Sequence, residues 1–289
     1  MTGLVMPQER KYGWELKPTS STYFDIHKRD NGQFCVVLNH SLLRGVTSEM
    51  IAWWFKHFPN MNVTLNDVQG YENTTVGAYL LWHPSDHYGA SLEGPLGPNN
   101  TTQAGASIHI REAMQYLKYG WKYKVDTKLK IFYCGNDGWA MGRVLPLFGP
   151  AMILRIHFKD VIENGEIIGA HYHYEVVIGV SANNFIARQL NKKITQHYST
   201  EFFEAWHLHN TIEVGVFENF LPSLYAQRNS MDQLHYSKSM NPNHPSPKEL
   251  RGFDKDLVEQ RLQSYKETKD PYSVQQYKNK TFMATSKNL

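Results

Sequence analysis

Ile153-Leu-Arg-Ile-His-Phe-Lys-Asp-Val-Ile162, Glu163-Asn164-Gly165 and Glu166-Ile-Ile-Gly-Ala-His-Tyr-His-Tyr-Glu-Val-Val-Ile-Gly-Val180 together decide the fold class. Two β-branched, alternating runs flank an Asn-Gly pair, which is the strongest short-range signal for an antiparallel hairpin. The register stays open. A two-residue turn at Asn164-Gly165 puts His171 and His173 on the face of Leu154, Ile156 and Phe158. A three-residue turn sets His157 opposite His171 and Arg155 opposite His173. A slip of one residue exchanges the faces.

Upstream, the chain reads mostly as β from Gly77. Gly89–Gly105 carries repeated Gly and Pro and reads as a loop, followed by strand segments at 106–116, 121–134 and 139–148. Downstream, the period changes. Phe203, Trp206, Ile212, Val216 and Phe220 recur at helical spacing, so Ser199–Phe220 reads as one long helix stopped by Pro222. A second helix begins at Thr47 or Ser48, with Glu49 in its first turn and Pro59 after its end. Its stripe of Ile51, Trp54, Phe55 and Phe58 suits packing or a subunit contact. Residues 1–30 are polar and show no clear element. Three regions follow: 1–70 with the Trp-rich helix as a dimer contact, a body over 71–225, and a polar extension over 226–289. That extension holds 11 Lys+Arg against 7 Asp+Glu. It reads as solvated and wrapping the body, with Leu250–Tyr265 able to form an amphipathic helix.

Composition narrows the function. At 289 residues and 41% hydrophobic, the chain has ample material for a core, which excludes a mostly disordered protein. A net charge of +3 does not call for nucleic acid. No apolar run reaches membrane-spanning length, and no secretory leader is visible. Cys35 and Cys134 are isolated thiols without CxxC spacing, which suits a reducing compartment. The expectation is a cytoplasmic protein that binds neither membrane nor nucleic acid and leaves its Asn-x-Thr sites, such as Asn62 and Asn73, unmodified.

The chemistry concentrates in three short stretches. In His209-Asn-Thr-Ile-Glu213, His209 and Glu213 project from one helix face a turn apart and can share an ion. In Leu81-Trp-His-Pro-Ser-Asp-His87, Pro84 fixes a turn that brings His83, Asp86 and His87 to a loop mouth. In Ser107-Ile-His-Ile-Arg-Glu112, strand alternation puts Glu112 on the face of Ile108 and Ile110, where a carboxylate needs a cationic partner. His83, Glu112, His209 and Glu213 would together make a His₂Glu₂ site. Such nitrogen and oxygen ligands suit Zn²⁺, and less specifically Mn²⁺, Fe²⁺ or Co²⁺.

These pieces resemble one known family. His209-Asn-Thr-Ile-Glu-Val-Gly215 and Phe217-Glu-Asn-Phe-Leu-Pro-Ser-Leu-Tyr225 are similar to the carboxyl-terminal helix of the phloretin hydrolase and 2,4-diacetylphloroglucinol hydrolase family. Leu81–His87 and Trp53-Trp54-Phe55 resemble it too. The resemblance implies an α+β, helix-grip fold of the START and pollen-allergen kind: a curved antiparallel sheet round a long carboxyl-terminal helix, with a small amino-terminal helical region supporting a homodimer. It also implies zinc-dependent hydrolysis of the carbon–carbon bond between an acyl group and a polyhydroxylated aromatic ring. Carried onto this chain, the metal ligands are His83, Glu112, His209 and Glu213. His157, His171 and Asp86 become the acid–base candidates, and Tyr79, His87 and His173 the substrate contacts. Two alternatives remain: a helix-grip carrier of an aromatic or polyketide ligand without chemistry, and a polyketide cyclase or decarboxylase.

Overall fold

The computed structural model describes residues 6–240 and Asp256. Its framework is one nine-stranded antiparallel sheet with helices, an α+β architecture. Strands β1 (Thr22–Lys28), β2 (Phe34–His40) and β3 (Leu43–Arg44) precede helix α1 (Ser48–His57). Then come β4 (Asn62–Leu65), β5 (Thr74–Gly77), β6 (His87–Glu93), β7 (Ser107–Ala113) and the short α2 (Tyr116–Tyr119). After them run β8 (Lys124–Cys134), β9 (Gly138–Leu145), β10 (Gly149–Glu163) and β11 (Glu166–Ile178). Helices α3 (Phe185–Thr195), α4 (Thr200–Gly215) and α5 (Phe217–Ala226) and strand β12 (His235–Tyr236) complete the described chain.

The large sheet has the order β1-β2-β11-β10-β9-β8-β7-β6, with β3 also on β11. β1 and β2 therefore join strands of the body across residue 70, with Val37 opposite Glu175 and Leu38 opposite Tyr174. A smaller sheet joins β12, β4 and β5 and takes its parallel strand from the start of the basic extension. Tyr236 of that strand is buried, and its hydroxyl lies 2.5 Å from Trp14 Nε1. The amphipathic stretch expected over 250–265 lies outside the described residues apart from Asp256.

Three local expectations are revised. The loop expected from Gly89 begins only after Glu93, because 89–93 pair with β7; the Gly-Pro cluster that breaks the sheet starts at Gly94. The hairpin turn is the two-residue Asn164-Gly165, with Asn164 and Gly165 both at positive φ. However, a bulge between Val161 and Ile162 shifts the register, so His157 faces His173 and Lys159 faces His171. One extra residue on one strand is enough to defeat both simple registers. The single helix expected over 199–220 is two, meeting at Val216, and Pro222 lies inside α5 instead of beyond a helix end. Proline cannot donate to the carbonyl four residues back.

α1 follows its sequence signals. The Thr47 hydroxyl accepts from Met50 N–H at 3.2 Å and caps the helix. Its aromatic stripe is consumed inside the chain. Trp54 packs on Trp82 and Phe217, Phe55 on Trp139, and Phe58 on Tyr79. These rings pack against the 78–87 segment, and Ile51, Trp54, Phe55 and Phe58 are all buried within the chain. α4 is buried around nearly its whole circumference from Ala205 to Gly215, which is why polar His207, His209 and Asn210 on it are all covered.

Candidate metal centre

α4, the 83–87 loop and β7 converge on one buried cluster. Ser199 caps α4 by accepting from Phe202 N–H, and roughly three to four turns on the helix presents His209, Asn210 and Glu213. The loop before β6 supplies His83 and Asp86, and the first residue of β6 is His87. β7 supplies Glu112, which lies on the inward face with Ile108 and Ile110 as alternation requires.

Hydrogen bonds decide what each imidazole can offer. His83 Nδ1 accepts from the backbone N–H groups of Ser85 and Asp86 at 3.2 and 3.1 Å. Burial holds its pKa down to about 3, so the ring is neutral with its proton on Nε2, which is buried without a hydrogen-bond partner and 3.4 Å from Asp86 Oδ2. In that tautomer this nitrogen has no lone pair for a cation. In His87 the pattern is reversed. Its Nδ1–H donates to the Tyr79 carbonyl at 2.9 Å, leaving an unprotonated Nε2 that is buried without a hydrogen-bond partner. This orphaned nitrogen lies 3.4 Å from Glu112 Oε2 and 3.6 Å from Glu213 Oε1. His209 Nδ1–H donates to Asp86 Oδ2 at 2.9 Å, and its Nε2 faces Glu112 Oε2 at 3.7 Å and Glu213 Oε2 at 4.0 Å.

Two overlapping groups could hold a cation, His83 with Asp86 and His209, and His87 with Glu112 and His209; Glu213 borders the second. A tetrahedron with arms near 2.1 Å has edges of about 3.4 Å. His87 Nε2 and His209 Nε2 lie 3.4 and 3.7 Å from Glu112 Oε2, at or just above that value, while Glu213 approaches them through different oxygens, Oε1 at 3.6 Å and Oε2 at 4.0 Å. Both imidazoles also show the arrangement typical of metal ligands, one nitrogen inward and the other N–H given to a carbonyl or carboxylate. His83 is bonded through Nδ1 to the backbone of its own loop.

The supporting contacts are dense. The Asp86 carboxylate also accepts from Ser85 Oγ and from the backbone N–H groups of Gln115 and Tyr116. Burial works against its charge, but His83, His209 and these bonds outweigh burial and hold its pKa well below the usual carboxylate range. Asp86, the proposed acid–base group, is thus tied up orienting His209. Tyr79 donates to Glu112 Oε2 at 2.6 Å, so it serves the carboxylate. Asn210 Nδ2 donates to Glu213 Oε2 at 3.0 Å, and Asn210 Oδ1 accepts from His40 Nε2–H at 2.9 Å. Strand β2 therefore reaches the site through His40.

The electrostatics call for positive charge. Burial raises the Glu213 pKa to about 8. Burial also opposes charge on His209, yet Glu112 and Asp86 beside it raise its pKa well above the usual range. For Glu112, burial is outweighed by the facing His209, and its pKa is lowered. His87 is kept neutral by burial.

Above the cluster lies a small cavity of about 50 Å³. The ligand side is Glu112, His209 and Glu213, and the sheet contributes Trp139, Tyr172 and Tyr174. The remaining candidates do not reach it. His157, His171 and His173 project from the opposite face of the β10–β11 hairpin, because the bulged register places Leu154, Ile156, Tyr172 and Tyr174 inward. His173 is bonded there to Asn39 at 2.5 Å. The tyrosines that alternate with these histidines are the residues the sequence reading missed, together with Asn210, the immediate neighbour of His209.

With this geometry in place, comparison adds one finding. Residues 24–118 match the family model described as DAPG hydrolase PhiG domain. The match supports that hydrolase family at the level of the domain, and it spans His87 and Glu112 but stops before His209 and Glu213. No curated protein matches the chain. Among solved structures, a protein of unknown function from Staphylococcus aureus is similar at 9% identity and a TM-score of 0.32, covering 68% of this chain and 96% of that one. The buried His/Asp/Glu cluster could hold a metal ion. Among the described residues no helix is long and apolar enough to cross a membrane.

Proposed function

We propose that this protein is a zinc-dependent hydrolase that cleaves the carbon–carbon bond between an acyl group and a polyhydroxylated aromatic ring, on a helix-grip fold with α4 as the gripped helix. One observation carries the reading: two buried imidazole nitrogens, His87 Nε2, which has no hydrogen-bond partner, and His209 Nε2, face two carboxylates beside an aromatic-lined cavity. A binding module for apolar ligands has no need of such a cluster, whose burial is costly unless a cation joins it. The resemblance to the phloretin and diacetylphloroglucinol hydrolases and the domain match support the reaction class. The homodimer and the cytoplasmic setting belong to the same proposal.

Zn²⁺ held by these four residues would supply Lewis acidity toward an acyl carbonyl or phenol oxygen. The chain does the rest. Asp86 and Tyr79 keep His209 and Glu112 in place. Trp139 and Trp206 provide flat apolar surface for the substrate ring. Water adds to the acyl carbon, the bond to the ring breaks, and the ring carbon takes up a proton, giving a carboxylic acid and the deacylated arene. Burial holds the phenols of Tyr172 and Tyr174 protonated, their pKa well above the ordinary value. They take over the proton-donor role expected of His157 and His171.

Metal analysis of the purified protein, with His87→Ala and His83→Ala beside it, tests the assignment. One zinc per chain is expected in the wild type and in His83→Ala, and none in His87→Ala. Incubation with phloretin and with diacetylated phloroglucinol should release acid only from the zinc-bearing forms. A zinc-replete protein that binds these ketones and never cleaves them would leave a carrier in place of a hydrolase.

A further inference from the structure

Arg10 lies in a stretch without regular structure, yet it is 1% exposed. Its backbone N–H donates to the Pro84 carbonyl at 2.8 Å, and its Nη2 donates to the carbonyls of His83 and His87 at 2.8 and 3.1 Å. The residue therefore grips both ends of the loop that carries Asp86 and His87. No carboxylate among the described residues forms an ion pair with it. A guanidinium is always charged, and a buried charge without a counter-ion is strongly unfavourable unless the wider surroundings compensate it.

The loop that Arg10 holds belongs to the candidate metal centre. Asp86, Glu112 and Glu213 bring three negative charges, and a divalent cation cancels two. One remains, and Arg10 is the buried cation bonded to the carbonyls on either side of Asp86. We infer that Arg10 is a positioning residue of the metal centre: it sets the 83–87 loop so that His87 Nε2 faces the carboxylates, and its charge neutralises the third carboxylate when a divalent ion is bound. The inference rests on the metal-binding reading above and adds to it a residue remote in sequence from every ligand.

The test is zinc affinity of the full chain, measured by competition with a chromophoric chelator, together with the absorption spectrum of the Co²⁺-substituted protein. Arg10→Gln keeps hydrogen-bond donors and loses the charge; Arg10→Lys keeps the charge and cannot span both carbonyls. Arg10→Gln is expected to lose roughly 10–100-fold in zinc affinity, as outer contacts of metal ligands do, and Arg10→Lys less, with an altered Co²⁺ spectrum in both. Arg29→Gln, which removes an ion pair with Glu175 on the far face of the sheet, is expected to bind zinc like the wild type. Arg10 variants that fold and bind zinc within about twofold of the wild type, with its Co²⁺ spectrum, would overturn the inference. So would an equal loss in Arg29→Gln. If Arg10→Gln does not fold, Arg10→Lys decides by the same criteria. A wild-type protein that binds no zinc would instead remove the metal reading itself.

Discussion

Glu213 is the residue on which the charge state of the centre turns. Burial raises its pKa from 4.5 to about 8, so the folded metal-free chain binds a proton that the unfolded chain has lost between those values. The stabilising contribution is complete below pH 4.5 and disappears as pH rises through about 8. Metal-free protein should therefore melt at progressively lower temperature between pH 6.5 and 8.5. Glu213→Gln, which cannot titrate, should show a shallower decline; parallel melting curves for the two would contradict the assignment. Much at this scale was legible in the sequence. Glu112 among isoleucines announced a cationic partner, and His209 with Glu213 lay one turn apart. The different bonding of the His83 and His87 rings was not legible. It depends on whether a ring nitrogen accepts from backbone N–H groups or donates to a carbonyl, and the Tyr79 carbonyl that decides it lies eight residues away in a separate turn.

At the scale of elements, α5 is pinned by a buried ion pair that no motif announced. Glu218 Oε1 accepts from Lys17 Nζ at 2.6 Å and from Arg44 N–H at 2.7 Å. Removing one partner of such a pair strands the other charge, so Lys17→Met should destabilise the protein by about 3–5 kcal/mol. Urea unfolding should show this as a lower midpoint with an unchanged slope. Periodicity located α1, the hairpin and the helical stretch after Ser199, because these signals are local. It missed the bulge at Val161/Ile162 and the break at Val216. The bulge sends His157, His171 and His173 to the far face, and the inward positions go to Tyr172 and Tyr174.

For the whole molecule, a metal held by four residues from two strands and a helix couples distant parts of the chain to one equilibrium. An ion bound only by the folded state at 100 times its dissociation constant adds about 2.7 kcal/mol of stability. For a domain of this size, that raises the melting temperature by roughly 5–10 °C. Calorimetry of chelator-treated protein titrated with zinc should show that rise and its dependence on free zinc; a melting temperature indifferent to zinc would count against a native site.

The amino-acid sequence by itself determined the donor types, their spacing within each element, and the face that Glu112 and Glu213 occupy, since strand and helix periods are properties of the local backbone. Only the tertiary structure decided how the His83 and His87 ring nitrogens are bonded, which face of the hairpin lines the cavity, and that Arg10 grips the 83–87 segment. Each of those outcomes depends on hydrogen bonds, or on a register, between segments far apart along the chain, and nothing in a local pattern specifies such partners.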